Sequence, residues 1–118
     1  MPWPIRYYEQ EPENPQPGDM WPVPHWLEEP DLAELLSEEY MQRWRSLRAP
    51  LKVMLPNGMR FCVDSKPTGG GSGWDVTGKP PNITVHPSIN YNGFSRQHGY
   101  HGWLQNGVLS DDVDGRKF

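Results

Sequence analysis

The sequence has little cysteine and no long apolar stretch. Cys62 is the only cysteine, so no disulfide can form within the chain and a reducing compartment is expected. No run approaches the ~18 consecutive apolar residues that a membrane-spanning helix needs. The first eight residues, Met-Pro-Trp-Pro-Ile-Arg-Tyr-Tyr, lack both the cationic and the apolar region of a secretory signal. These absences predict a protein of the cytoplasm that does not enter a membrane.

The second half of the chain, although weakly basic, has no cluster of Lys and Arg residues. Residues 1–50 carry ten acidic and four basic residues, whereas residues 51–118 carry five acidic and seven basic residues. A surface that follows a phosphate backbone needs grouped Lys and Arg side chains, so direct binding to nucleic acid is not expected. The acidic first half is instead suited to a basic protein partner.

Proline is abundant and unevenly placed. Eight of the 14 prolines fall within residues 1–30. Because proline removes a backbone donor and restricts the preceding residue, this stretch is predicted to be an extended arm without a helix or a central strand. Its aromatic groups either pack on the remaining domain, residues 31–118, or bind a partner. The candidate partner-binding residues of the arm are Trp3, Tyr7, Tyr8, Glu9, Glu11, Glu13, Trp21, Trp26, Glu28 and Glu29.

One stretch has helical periodicity. Apolar residues recur every three or four positions over 31–48, namely at Leu32, Leu36, Tyr40, Trp44 and Leu47. The pattern predicts one bent helix, or a short turn followed by a helix that Ser37 caps and that ends before Pro50.

The remaining sequence alternates as strands do. Residues 51–55 and 59–63 form a predicted hairpin around Pro56-Asn57-Gly58, and residues 74–77 and 82–86 form two further strands. Asn106-Gly107 favours a two-residue turn that pairs Leu104 with Leu109 and brings His101 opposite Asp112. We therefore predict an α+β fold, with the helix packed on a small, mainly antiparallel sheet of five or six strands.

Two histidines and two aspartates form the arrangement that most resembles a metal or acid–base site. They are His98, His101, Asp111 and Asp112. A structural zinc site usually includes several thiolates, which this chain lacks, so a plain contact between His101 and Asp112 is the preferred interpretation. No metal and no cofactor are expected.

Other signals of catalysis are weak. Cys62 lies in a predicted strand, where a buried and inert thiol is usual. The glycine-rich loop at residues 65–73 lacks the Lys-Ser/Thr ending of a phosphate-binding loop, and no Gly-x-Ser-x-Gly motif occurs. The sequence therefore predicts a protein that is not an enzyme.

The elements Pro-Ser-Ile at 87–89 and His-Gly-Trp-Leu-Gln-Asn-Gly at 101–107 carry a family resemblance. Over about residues 37–118 the chain resembles a family of small proteins that tailed bacteriophages and prophages encode. The resemblance implies a phage origin and a setting in the cytoplasm of the infected bacterial host.

These observations lead to one functional expectation and two alternatives. We expect an accessory protein that binds and inhibits or modulates a host or phage protein, such as a defence or replication component or a nucleic-acid-binding effector. The alternatives are a small metal- or ligand-binding domain built on the His and Asp cluster, and a minor structural protein of the virion. The sequence does not indicate an oligomeric state.

Overall fold

A computed structural model describes residues 2–67, 73–91 and 99–118. These residues form two β-sheets with few and short helical segments. The five-stranded sheet has the order β1-β9-β8-β7-β6 and contains β1 (Trp3–Pro4), β6 (Asp75–Thr77), β7 (Thr84–Tyr91), β8 (Tyr100–Gln105) and β9 (Val108–Leu109). The four-stranded sheet has the order β2-β3-β4-β5 and contains β2 (Arg6–Tyr7), β3 (Asp19–Pro22), β4 (Leu51–Met54) and β5 (Arg60–Cys62). The prediction of a single sheet with five or six strands is wrong.

The first 30 residues belong to both sheets. β1 pairs with β9, and β3 lies between β2 and β4, where Met20 is opposite Val53. The prediction that the prolines exclude a central strand here is therefore wrong, and the strand pairing does not separate an arm at residues 1–30 from a domain at 31–118. The prolines are accommodated because Pro4 lies in an edge strand and Pro22 is the last residue of β3.

The helical stretch predicted over 31–48 is divided in two. The helix α1 spans Pro30–Leu35, a 3₁₀ turn precedes it at Trp26–Glu28, and a π-helical segment follows at Tyr40–Trp44. Between the two parts, Leu36 is extended (φ −68°, ψ 140°) and forms an antiparallel bridge with Ser65. The second part begins where expected, because the Tyr40 N–H donates to Ser37 Oγ at 3.1 Å.

The main core contains apolar residues of both sheets. The four-stranded sheet contributes Met20, Val53 and Phe61 among others, and the five-stranded sheet contributes Val85 and Leu104 among others. A smaller cluster joins the helical region to Cys62 of β5 and consists of Trp26, Leu32, Leu36, Tyr40 and Cys62. Leu47, predicted to share the apolar face of the helix, is 70% exposed.

The two predicted hairpins are present, and the two further predicted strands pair with each other. Leu55 N donates to Met59 O at 2.9 Å around the first turn, β6 pairs with β7, and Leu104 lies opposite Leu109 as the Asn106-Gly107 turn requires. Strand β7 continues beyond the predicted residue 86, through the cis peptide bond before Pro87 and a shift of register before Ile89.

Residues 68–72 and 92–98, which include most of the predicted glycine-rich loop and His98, lie outside the described residues. Within the described residues, no helix combines the length and the apolar character needed to cross a bilayer.

Candidate functional site

A polar cluster lies where β8 meets the chain that follows β9. Strand β8 buries Tyr100, Gly102 and Leu104, so His101 and Trp103 point away from the main core. The hairpin brings His101 close to Asp112 as predicted, but the contact does not use the imidazole. The His101 N–H donates to Asp112 Oδ1 at 2.7 Å, and the Val113 N–H donates to the carbonyl of His101 at 2.7 Å.

Asp112 organises the segment that follows the hairpin. Its buried carboxylate accepts hydrogen bonds from the N–H groups of His101, Asp114 and Arg116 and from Arg116 Nη1, at 2.7–3.0 Å. Burial of the carboxyl works to raise its pKa, but the hydrogen bonds from Arg116 and His101 outweigh burial and lower the pKa of Asp112 below its usual value. Asp112 is therefore a charged structural group that positions the backbone around it.

The imidazole of His101 lies between two other polar groups. Its Nε2 is 3.0 Å from Ser88 Oγ, and its Nδ1 is 3.7 Å from Asp114 Oδ2. Asp114 Oδ2 also lies 3.4 Å from Arg116 Nη1. We call Ser88, His101, Asp112, Asp114 and Arg116 the polar cluster.

Neither Ser88 nor Asp114 was predicted from the sequence as a site residue. Asn90 of β7 lies directly opposite His101, and Ser88 precedes Asn90 by two positions, so it occupies the diagonal position on the same face. Trp74 Nε1 donates to the Ser88 carbonyl at 3.3 Å. Predicting the contact between Ser88 and His101 requires knowing that β7 pairs with β8, and local sequence patterns do not specify this pairing.

The predicted metal ligands are only partly brought together. His101 and Asp112 are in contact through the backbone, Asp111 is exposed, and His98 lies outside the described residues. In the part of the chain that the structure describes, no group of three or more His, Cys, Asp and Glu side chains is arranged to hold a metal ion.

The predicted partner-binding residues divide into exposed and buried groups. Tyr7 and Tyr8 are each 41% exposed, whereas Trp21 and Trp26 are 3% and 6% exposed. These two tryptophans follow the alternative in which aromatic groups of the first 30 residues pack on the rest of the protein, because Trp21 is buried in β3 and Trp26 packs edge-on against Tyr40 in the smaller core cluster. Trp3 is half-buried. The five predicted glutamates are all exposed: Glu9, Glu11, Glu13, Glu28 and Glu29.

Arg60 pairs with one of the exposed glutamates of residues 1–30 and shares a cleft with two others. Arg60 forms an ion pair with Glu11 through its Nε. Arg60 also lines a cleft of about 740 Å³ whose other charged residues are Glu28, Glu29, Asp31, Lys52 and Lys66. Residues distant in the sequence thereby come to one side of β5.

The acidic residues continue along the helical region. Residues 28–39 contain six acidic and no basic residues, and of these Glu28, Glu29, Asp31, Glu34 and Glu38 are exposed. The apolar residues Leu27, directly before this stretch, and Leu35, within it, are 69% and 54% exposed. We call these seven residues the acidic surface.

Comparisons with protein-family models, with curated proteins and with solved structures found no match for this chain. The resemblance to phage-encoded proteins stays a prediction.

Proposed function

We propose that this protein is a phage accessory protein that acts in the cytoplasm of the infected bacterial host. It binds a basic surface on a host or phage protein and inhibits or modulates that protein. The partner whose chemistry best matches the acidic surface is a nucleic-acid-binding effector, because such a protein presents grouped Lys and Arg side chains.

The observation that supports the proposal is the acidic surface. Its five exposed carboxylates lie in one stretch that contains no basic residue, and they outnumber the three basic side chains, Lys52, Arg60 and Lys66, that line the cleft beside Glu28, Glu29 and Asp31. Asp31 and Leu35 are four residues apart in α1 and therefore lie on the same side of that helix. A partner would be attracted by the carboxylates and would bury the exposed leucines on contact.

Charge reversal tests the proposal without disturbing the fold. Deleting residues 1–30 would remove β3 from the middle of the four-stranded sheet, so point variants are needed. We compare the wild-type chain with Glu28→Lys/Glu29→Lys, and use Asp75→Lys/Asp111→Lys as the control of equal charge change, since these two aspartates are exposed on other parts of the chain.

The assay is affinity capture from infected cells, followed by a binding isotherm with the purified captured protein. We expect the Glu28/Glu29 variant to bind at least tenfold more weakly, and the control within about twofold of wild type. Double-stranded DNA should displace the wild-type chain from the partner, and the affinity should fall as salt rises. Equal losses in both variants, or an affinity that salt and DNA leave unchanged, would overturn the proposal.

A further inference from the structure

We propose that Ser88 is a nucleophile that accepts an acyl group from an ester, with His101 as its base and Asp114 as the group that positions His101. This activity is independent of the acidic surface and goes beyond the binding function. It departs from the sequence-based expectation that the chain is not an enzyme.

The geometry of the imidazole supports this proposal. A serine hydroxyl is activated when one ring nitrogen of a histidine accepts its proton and a carboxylate faces the other ring nitrogen. Here Nε2 of His101 is 3.0 Å from Ser88 Oγ, and Nδ1 is 3.7 Å from Asp114 Oδ2. With the proton of the neutral ring on Nδ1, the Ser88 hydroxyl donates to Nε2.

Separate hydrogen bonds to the backbone fix the positions of Ser88, His101 and Asp114. Asp112 accepts from the N–H groups of both His101 and Asp114, at 2.7 Å and 3.0 Å. The Ser88 carbonyl accepts from Trp74 Nε1. Strand β7, strand β8 and the segment after β9 each contribute one of the three groups, so the arrangement depends on the tertiary structure.

The charges around His101 favour the proton transfer. Asp112 and Asp114 carry two negative charges, and Arg116, whose Nη1 lies 2.9 Å from one and 3.4 Å from the other, carries one positive charge. The net negative charge beside the ring stabilises the imidazolium that forms when Ser88 loses its proton.

The reaction balances with water as the only other reactant. Ser88 Oγ attacks the ester carbonyl carbon while its proton moves to His101 Nε2. The bond between the carbonyl carbon and the leaving oxygen then breaks, and the leaving alcohol takes that proton. Water next attacks the acyl-serine, gives a proton to Nε2 and releases the carboxylic acid, and the proton returns to Ser88 Oγ.

The surroundings indicate the class of ester. Ser88 and His101 are half-buried, so the site is open to solvent. The rings of His86 and Trp103 lie beside each other, with centroids 5.9 Å apart, two positions along their strands from Ser88 and His101. A short acyl ester of an aromatic alcohol would place its leaving group against these rings.

The test uses the full-length protein and two probes. A fluorophosphonate probe reports covalent attack by serine, and peptide mass spectrometry locates the labelled residue. Hydrolysis of p-nitrophenyl acetate reports turnover. We expect labelling at Ser88, which His101→Gln reduces at least 100-fold because glutamine cannot take up the proton. Ser46→Ala, which removes an exposed serine elsewhere, should change neither signal.

Asp114 is tested as a positioning residue. Asp114→Asn should lower the labelling rate about tenfold, a modest effect because the carboxylate is half-exposed and 3.7 Å from the ring. Asp114→Glu should restore part of the rate while the melting temperatures of both variants stay within a few degrees of each other. Failure of the folded wild-type chain to label at Ser88, or labelling that His101→Gln leaves unchanged, would refute the proposal.

Discussion

Removing one partner of the ion pair between Arg48 and Asp64 is expected to be among the more destabilising single substitutions in this protein. Asp64 Oδ2 and Oδ1 accept from Arg48 Nη1 and Nη2 at 2.7 Å and 2.8 Å, and Oδ2 also accepts from the Leu51 N–H at 3.0 Å. The side chains of Arg48 and Asp64 are only 19% and 1% exposed. The guanidinium also lies 4.8 Å from the ring centroid of Trp44 and 5.6 Å from that of Tyr40.

Substituting Arg48→Met leaves the Asp64 carboxylate buried without its cation. Breaking a buried pair in this way typically costs about 3–5 kcal/mol. For 118 residues the entropy of unfolding is roughly 0.25 kcal/mol/K, so the melting temperature should fall by about 12–20 °C. Asp64→Asn, which leaves the guanidinium without a carboxylate, should have an effect in the same range.

Thermal unfolding followed by circular dichroism measures this effect. The matched control is Glu11→Gln, which breaks the ion pair with Arg60, whose two side chains are 45% and 48% exposed. An exposed pair contributes at most about 1 kcal/mol, so the control should lose less than about 4 °C. The double variant Arg48→Met/Asp64→Asn should lose less than the sum of the two single losses, because it leaves no buried charge. A loss for Arg48→Met as small as that of the control would refute the reasoning.

Three further predictions concern a glycine, a carboxylate and a thiol. Gly107→Ala should lower the melting temperature more than Gly115→Ala, since both residues have positive φ but only at Gly107 would the added Cβ run into the backbone of Pro81. The pKa of Asp112 is lower in the folded state than in the unfolded chain. Its contribution to stability is therefore complete above the unfolded pKa of about 4 and is lost as the pH falls through the folded pKa. In urea titrations, Asp112→Asn should accordingly lose less stability than the wild-type protein between pH 5 and pH 2. Burial raises the pKa of Cys62 to about 12, so a thiol reagent at pH 8 should react with it far more slowly in the folded protein than in guanidinium chloride, and equal rates would contradict the burial.

The elements that the sequence predicted well depend on neighbouring residues. The Asn106-Gly107 turn requires positive φ at both positions, which the structure has at +48° and +77°. Once this turn forms, the pairing of Leu104 with Leu109 follows, and with it the approach of the backbone of His101 to Asp112. The cap by Ser37 is equally local.

The errors concern contacts between distant residues. Helical periodicity runs through Leu36, but the bridge to Ser65 draws this residue out of the helix. Likewise, prolines argued against strands in the first 30 residues, yet β4 provides a partner along which Met20 and Trp21 are buried. In both cases the backbone pairing and burial gained from a remote strand outweigh the local preference.

The candidate sites show the same division. The sequence by itself determined the acidic character of the first half, in which residues 28–39 contain six acidic residues and no basic residue. Only the tertiary structure decided which side chains meet the imidazole of His101. Ser88 reaches it through the pairing of β7 with β8, and Asp114 through the turn that Asp112 holds. The sequence specifies the chemistry of each side chain. The distances between side chains of separate segments depend on the packing that minimises the free energy of the whole chain.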